Sequence, residues 1–258
     1  MMHTKLILQA IFLGILQGVT EFLPISSSGH LVIAQHFCPE IARFPVSLDV
    51  ILHLGTLLAL CVYFWKDLIE MLLHPRLGIP VVVATFVTAG VVLPFKKIVE
   101  SFFSSPQLAC LMLFVTGTLL FIATKKKGND WEQVRVLDAV KIGLAQAIAV
   151  IPGISRSGTT IVAGVLFGLK AETAARFSFL IAIPAILGAG VLELSDLHGF
   201  PLSLLLSYFL GFLASFFSGL WAIKWLLRLL SHTQNALKYF AYYCWLAGII
   251  FLILIRFV

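Results

Sequence analysis

Charged side chains are scarce in this sequence. They make up 12% of the 258 residues, against 60% for the hydrophobic set. That is about half the charged share of an ordinary soluble domain, and mean hydropathy is +1.04. The shortage excludes a soluble globular fold and defines a polytopic membrane protein. Cysteine is also sparse: Cys38, Cys61, Cys110 and Cys244 are scattered, and the last three lie in apolar runs. They show neither metal spacing nor a disulfide framework and are read as small hydrophobes. Acidic residues number 12 against 18 basic ones, for a net charge of +6. In a polytopic chain that excess belongs to cytoplasmic loops, so no nucleic-acid partner is expected. The first apolar run begins at Leu6 and carries a polar motif within it, so it is expected to be retained rather than cleaved.

What is present is a series of apolar stretches. Runs at 46–65, 79–95, 107–124, 177–194, 202–223 and 239–255 approach the ~20 residues that cross a bilayer as a helix. Trp65, Trp221, Trp225, Tyr239, Tyr242 and Tyr243 fall near their ends, where amphipathic rings prefer the interface. Two further apolar regions are broken by polar residues. The first holds Gln17-Gly18-Val19-Thr20-Glu21-Phe22-Leu23-Pro24-Ile25-Ser26-Ser27-Ser28-Gly29-His30. The second, within 137–169, holds Gln146 and Pro152-Gly153-Ile154-Ser155-Arg156-Ser157-Gly158-Thr159-Thr160. Non-helical backbone at membrane depth must be surrounded by protein or water, and ionisable groups there face a partner or a cavity.

The two broken regions are copies. Adding 129 to Gly14, Gln17, Ile25, Ser26, Ser28, Gly29 and Ala34 gives Gly143, Gln146, Ile154, Ser155, Ser157, Gly158 and Ala163 without a gap. The chain is therefore expected to be one integral membrane domain, 1–258, built from repeats of approximately 1–129 and 130–258. Weak internal symmetry of this kind marks inverted-repeat folds. If each motif region dips in and returns to its own side, each half holds three crossings and the second half is inverted. With the Lys125–Lys127 loop inside, twelve Lys and Arg fall inside and five outside, with Arg156 left for the core. The Glu193–His198 loop, free of lysine, falls outside; the Lys96-Lys97 pair is a local objection. The expected fold is an all-α polytopic membrane protein with an inverted-topology repeat, six full spans, two re-entrant helical hairpins and both termini outside.

The motifs admit a limited chemistry. Gln17 and Glu21 lie four apart and share a helix face. There they can ligate a hard divalent cation, position water, or satisfy a broken helix. Ser26, Ser27 and Ser28 can cap the helix that follows, form an anion nest with its backbone N–H groups, or supply a nucleophile. His30, beside a carboxylate and serines, is read as a proton donor or acceptor; His53 has no such company and is given at most a supporting role. Arg156 at membrane depth needs an anion. Either Glu21 supplies it in a buried ion pair, or the guanidinium clamps a phosphate with both arms. Ser155, Ser157, Thr159 and Thr160 supply hydroxyls around it.

The sequences 21–30 and 152–160 resemble the two signatures of the undecaprenyl-diphosphate phosphatase family, the bacitracin-resistance membrane phosphatases, and the resemblance extends over the chain's length, motif spacing and hydropathy. It implies hydrolysis of undecaprenyl diphosphate to undecaprenyl phosphate and inorganic phosphate, recycling the lipid carrier of peptidoglycan synthesis. It also implies a divalent cation (Mg2+ or Ca2+ left open), a bacterial plasma (inner) membrane location, and a site open to the outer face. The family's catalytic positions fall on Gln17, Glu21, Ser27, His30, Ser155, Arg156 and Thr160. The first signature begins with Glu or Gln, and Gln17 leaves Glu21 as the sole acid. The expected roles are then Glu21, Ser27, His30 and Arg156 in catalysis, and Gln17 and Glu21 in metal binding. Substrate binding falls to Gln17, Ser26, Ser28, Ser155, Arg156, Ser157 and Thr160. Expected partners are the lipid substrate, membrane lipids and, where the chain self-associates, a second copy in a homodimer. The competing expectation from the same repeat is a lipid-phosphate flippase or anion transporter.

Overall fold

The computed structural model describes residues 2–36, 45–125, 134–194, 204–233 and 235–256. Among these the regular elements are all helices. The helices are α1 (Met2–Phe22), α2 (Ser27–His36), α3 (Pro45–Tyr63), α4 (Trp65–Leu73), α5 (Pro75–Val92), α6 (Lys96–Phe102), α7 (Pro106–Ala123), α8 (Val136–Ile148), α9 (Arg156–Leu166), α10 (Ala171–Leu194), α11 (Leu205–His232) and α12 (Leu237–Leu254). Prolines help set the boundaries. Pro75 and Pro106 open α5 and α7, where the missing N–H costs nothing. Ser105 caps α7 by accepting from Leu108 N at 3.2 Å. Pro80 and Pro184 lie inside α5 and α10, which membrane helices tolerate.

Six helical stretches are long and apolar enough to cross a membrane: Thr4–Phe22, Pro75–Phe102, Pro106–Ala123, Ala171–Leu192, Leu205–His232 and Leu237–Leu254. This is the all-α polytopic membrane protein the sequence led us to expect. The membership of the six differs, however. α1 is a single helix of 21 residues, longer than one arm of a short hairpin needs to be. The 46–65 stretch forms α3, which meets α4 at a 67° bend around Phe64 and with it makes a broken apolar span, a seventh if counted as one. α11 extends to His232, so Trp221 and Trp225 sit within it and stack at 5.8 Å between ring centroids. α2 and α9 have 10 and 11 residues, about half a crossing. Residues 126–127 and 195–198 of the loops used in the charge count, with Arg43 and Cys38, lie outside the described residues.

α1 lies along α11 and α8 along α5, with α3 against α10 and α11, and α7 against α12. Glycine sets the closest of these approaches. A Cβ on Gly143 would stand 2.7 Å from Ala84 O and 3.0 Å from Ala84 Cα on α5, and one on Gly14 would overlap Gly211 O on α11. Small residues at such crossings let helices pack by van der Waals contact where no hydrophobic effect separates lipid from protein. Gly143→Leu is expected to cost about 2 kcal/mol through overpacking, read as a melting temperature several degrees lower in detergent. Outward faces are apolar: Phe86, Phe217 and Ile250 are exposed, as lipid contact requires. The main core gathers Phe22, Phe64 and Phe179, all fully buried, with Phe22 edge-on to Phe179 at 5.4 Å. These rings lie next to the polar centre, since Phe22 directly follows Glu21.

Candidate active site

α1 and α8 each end at a proline-containing break, and a short helix starts just beyond it. The first break holds Pro24; its turn closes with Ser26 in the left-handed region at φ 70°, a conformation that is strained for a side-chain-bearing residue. The second holds Pro152 and Gly153, the latter at φ 93°. Ser26 Oγ accepts from Gly29 N at 3.3 Å and Ser155 Oγ from Gly158 N at 3.0 Å. These repeat-related serines are therefore the caps of α2 and α9, as serine chemistry favours. The two breaks touch. A Cβ on Gly29 would lie 2.9 Å from Gly153 Cα, and Ser157 Oγ donates to Leu23 O at 3.0 Å.

This contact brings two helix N-termini together, with Ser27 the first residue of α2 and Arg156 the first of α9. Both reach the carboxylate of Glu21. Arg156 Nη2 donates to Glu21 Oε1 at 2.7 Å, and Ser27 Oγ donates to Oε2 at 2.5 Å. Gln17 Nε2 donates to the same Oε2 at 3.1 Å. Glu21 is buried, and the Arg156 side chain is only 16% exposed. Helix N-termini favour anions, through unpaired N–H groups and the helix dipole, so a carboxylate here is doubly stabilised. Of the two partners open to Arg156, the structure supplies Glu21. Its other arm, Nη1, donates to Ser178 O on α10 at 3.2 Å, which fixes the plane of the guanidinium.

The remaining residues expected at the site are distributed around this centre. Ser155 N donates to Thr116 Oγ1 at 3.0 Å, and that hydroxyl donates to Gly153 O at 2.8 Å, tying the second break to α7. Ser155 Oγ and Ser157 Oγ are 3.2 Å apart and Ser26 Oγ and Ser28 Oγ 3.4 Å. Thr160 is not brought to the carboxylate. It is fully buried, donates to Arg156 O at 2.7 Å and accepts from Ser178 Oγ at 2.6 Å. A hydroxyl one turn inside a helix folds back on the i−4 carbonyl, so it buttresses Arg156. His30 also turns away. Its Nδ1 lies 2.7 Å from Ser26 O, a carbonyl that can only accept, so Nδ1 carries the proton and Nε2 accepts from Tyr243 Oη at 2.8 Å. The ring stacks on Tyr243 and holds Ser26 in its strained turn.

Two neighbours of the centre were not expected to form part of it. Ser178 lies within an apolar span without a motif. His53, given at most a supporting role from sequence, has its Nε2 3.8 Å from Glu21 Oε2. The repeat also departs from symmetry where the chemistry lies. Glu21 corresponds to Val150 and Arg156 to Ser27 under the 129-residue offset. With no acid beside it, Gln146 Nε2 donates to Thr88 Oγ1 at 3.0 Å instead.

Fold and centre together define a polytopic all-α membrane protein whose two helix breaks enclose an acid–guanidinium–serine cluster. The family model for the bacitracin resistance protein BacA matches residues 10–250. The chain is 40% identical over 269 residues to the undecaprenyl-diphosphatase of Methanobrevibacter smithii, covering 95% of this chain and 96% of that one. It is 42% identical over 256 residues to the undecaprenyl-diphosphatase of Halothermothrix orenii, with 96% and 98% covered. The match to the undecaprenyl-diphosphatase of Syntrophotalea carbinolica is 42% over 254 residues, with 93% and 96% covered. The chain belongs to the bacitracin resistance protein BacA family.

Proposed function

We propose that this chain is an undecaprenyl-diphosphatase, releasing inorganic phosphate and undecaprenyl phosphate and so returning the carrier lipid to peptidoglycan synthesis and conferring bacitracin resistance. The observation that carries the chemistry is that Ser27 and Arg156 meet on one carboxylate, Glu21, at 2.5 Å and 2.7 Å. Ser27 Oγ attacks the terminal phosphorus while its proton passes to Glu21 Oε2. The bond from that phosphorus to the bridging oxygen breaks, and undecaprenyl phosphate leaves. Water then hydrolyses the phosphoserine. Arg156 and the N-termini of α2 and α9 face the phosphate oxygens, because phosphoryl transfer depends chiefly on positioning and charge neutralisation. Ser155, Ser157 and Thr160 hold Arg156 and the breaks in place, and His30 does the same for Ser26. A transport reading gives no role to the Ser27–Glu21 hydrogen bond.

The donor set accommodates a divalent cation, Mg2+ or Ca2+. Gln17 Oε1 is buried and accepts no hydrogen bond among the described residues, and Glu21 provides the carboxylate beside it. No group of three or more His, Cys, Asp or Glu side chains among the described residues is placed to hold a metal. Substrate oxygens therefore have to complete the shell, as is usual for Mg2+. Bound there, the ion supplies charge neutralisation of the diphosphate. We further place the protein in the plasma membrane of a bacterium as an inverted repeat with the site open to the outer face. Support comes from the distribution of Lys and Arg and from the equivalent packing of α1 on α11 and α8 on α5.

Purified protein in detergent is expected to release phosphate from undecaprenyl diphosphate. Ser27→Ala should lower kcat by about 100-fold or more, the scale of losing a positioned nucleophile and its base. A phosphorylated Ser27 should be trapped by acid quench with substrate labelled in the terminal phosphate. Turnover within tenfold of wild type in Ser27→Ala would transfer the attack to water.

A further inference from the structure

We infer that His53 is a third protein ligand of the cation site, completing with Glu21 and Gln17 a mixed nitrogen–oxygen set. The inference rests on the reading of the centre as a cation-assisted phosphatase. His53 Nδ1 lies 2.8 Å from Asp49 O, one turn earlier in α3. A carbonyl only accepts, so Nδ1 carries a hydrogen and Nε2 is the nitrogen left to face the site. Fixing the tautomer by a backbone carbonyl is how metal-binding imidazoles are held. Nε2 faces Glu21 Oε2 across 3.8 Å, too long for a hydrogen bond. Oε2 also accepts from Ser27 Oγ and Gln17 Nε2. Two ligands each about 2.1 Å from one ion stand about 3.0 Å apart at a right angle and about 4.2 Å apart when opposed. The observed 3.8 Å lies within that range.

Gln17 adds an independent sign. Its Oε1 is buried and accepts nothing among the described residues. Turning the amide over brings that oxygen to the position now held by Nε2, 3.1 Å from Glu21 Oε2, again a separation suited to a shared ion. Arg156 occupies the opposite carboxylate oxygen, Oε1, so an ion at Oε2 does not displace it; with the Gln17 amide turned over, such an ion shares Oε2 with the Ser27 hydroxyl alone. The His53 ring is 33% exposed, which leaves the site an entrance. Mn2+ shares the oxygen-ligand chemistry of Mg2+ and Ca2+ and is paramagnetic, so it can report a nitrogen ligand directly.

The test uses Mn2+ alone as probe, with the full chain in detergent and no lipid substrate. Pulsed electron paramagnetic resonance is expected to show Mn2+ bound with a nitrogen hyperfine coupling from one imidazole. His53→Gln should abolish that coupling and weaken binding by at least about tenfold, and His53→Asn should do the same if the longer side chain perturbs folding. Bound Mn2+ lacking a nitrogen coupling in the wild type, a coupling that survives in both variants, or no binding at all would each overturn the assignment. Phosphate release from undecaprenyl diphosphate by the same wild-type preparation separates the two readings. Release without nitrogen coupling overturns the His53 ligand alone; no release overturns the phosphatase itself.

Discussion

Glu21→Gln is expected to abolish turnover, with kcat reduced by about 100-fold or more, the usual contribution of a positioned base. The side chain keeps its shape and retains one oxygen that can accept from Arg156 at the 2.7 Å position. What it loses is the ability to take the Ser27 proton, together with half the charge balance of the centre. With that contact between α1 and α9 kept, the variant should still insert and remain monodisperse. Steady-state phosphate release together with a thermal melt checks both halves of the expectation. More than a tenth of wild-type activity would remove Glu21 as the base. Glu21→Ala should behave differently. It strands a guanidinium that is largely out of contact with solvent, and breaking a buried pair from one side costs about 3–5 kcal/mol. A loss of fold is therefore expected in addition to the loss of activity.

Arg156→Lys should lower kcat/KM by at least about 100-fold, comparable with removing an anion-stabilising donor from an active site. The native guanidinium spans two targets at once, Glu21 Oε1 at 2.7 Å and Ser178 O at 3.2 Å. Its remaining N–H groups can then address phosphate in a fixed plane. An ammonium is a single flexible point and cannot hold both targets while presenting a fork. The charge is conserved, so the melt should change little, which separates geometry from electrostatics. A Lys variant within tenfold of wild type would show that charge alone suffices at this position.

Much of this arrangement was readable because membrane chemistry is unforgiving. A carboxylate, a guanidinium and an imidazole inside apolar runs must be accounted for. Glu21, Arg156 and His30 therefore stood out in the sequence, as did the proline and glycine breaks beside them. Contact between the two breaks was foreseeable from the 129-residue offset between Ser27 and Arg156. His53 and Ser178 were not foreseeable. Each is a polar residue in an otherwise regular span, and whether such a residue faces lipid, core or site depends on how its helix is rotated against its neighbours. The same holds for His30 in reverse. Its proximity to Glu21 in sequence pointed to the cluster, but the left-handed turn at Ser26 directs the ring to Tyr243, 213 residues away.

The sequence by itself determined the solvent of this protein, the apolar helical character of its segments, the positions of the two breaks and the residue types able to handle a phosphate. Each of these follows from local composition and from the cost of placing polar groups in lipid. Only the tertiary structure decided which hydroxyls act and which merely hold. Ser26, Ser27 and Ser28 are chemically identical neighbours, as are Ser155 and Ser157. Backbone direction at the start of a helix assigns Ser26 and Ser155 to caps and Ser157 to Leu23 O, and leaves Ser27 on Glu21. A hydroxyl has no intrinsic preference among these partners. Its role is fixed by the left-handed backbone at Ser26 and by the contact between the two breaks, which no one-dimensional pattern encodes.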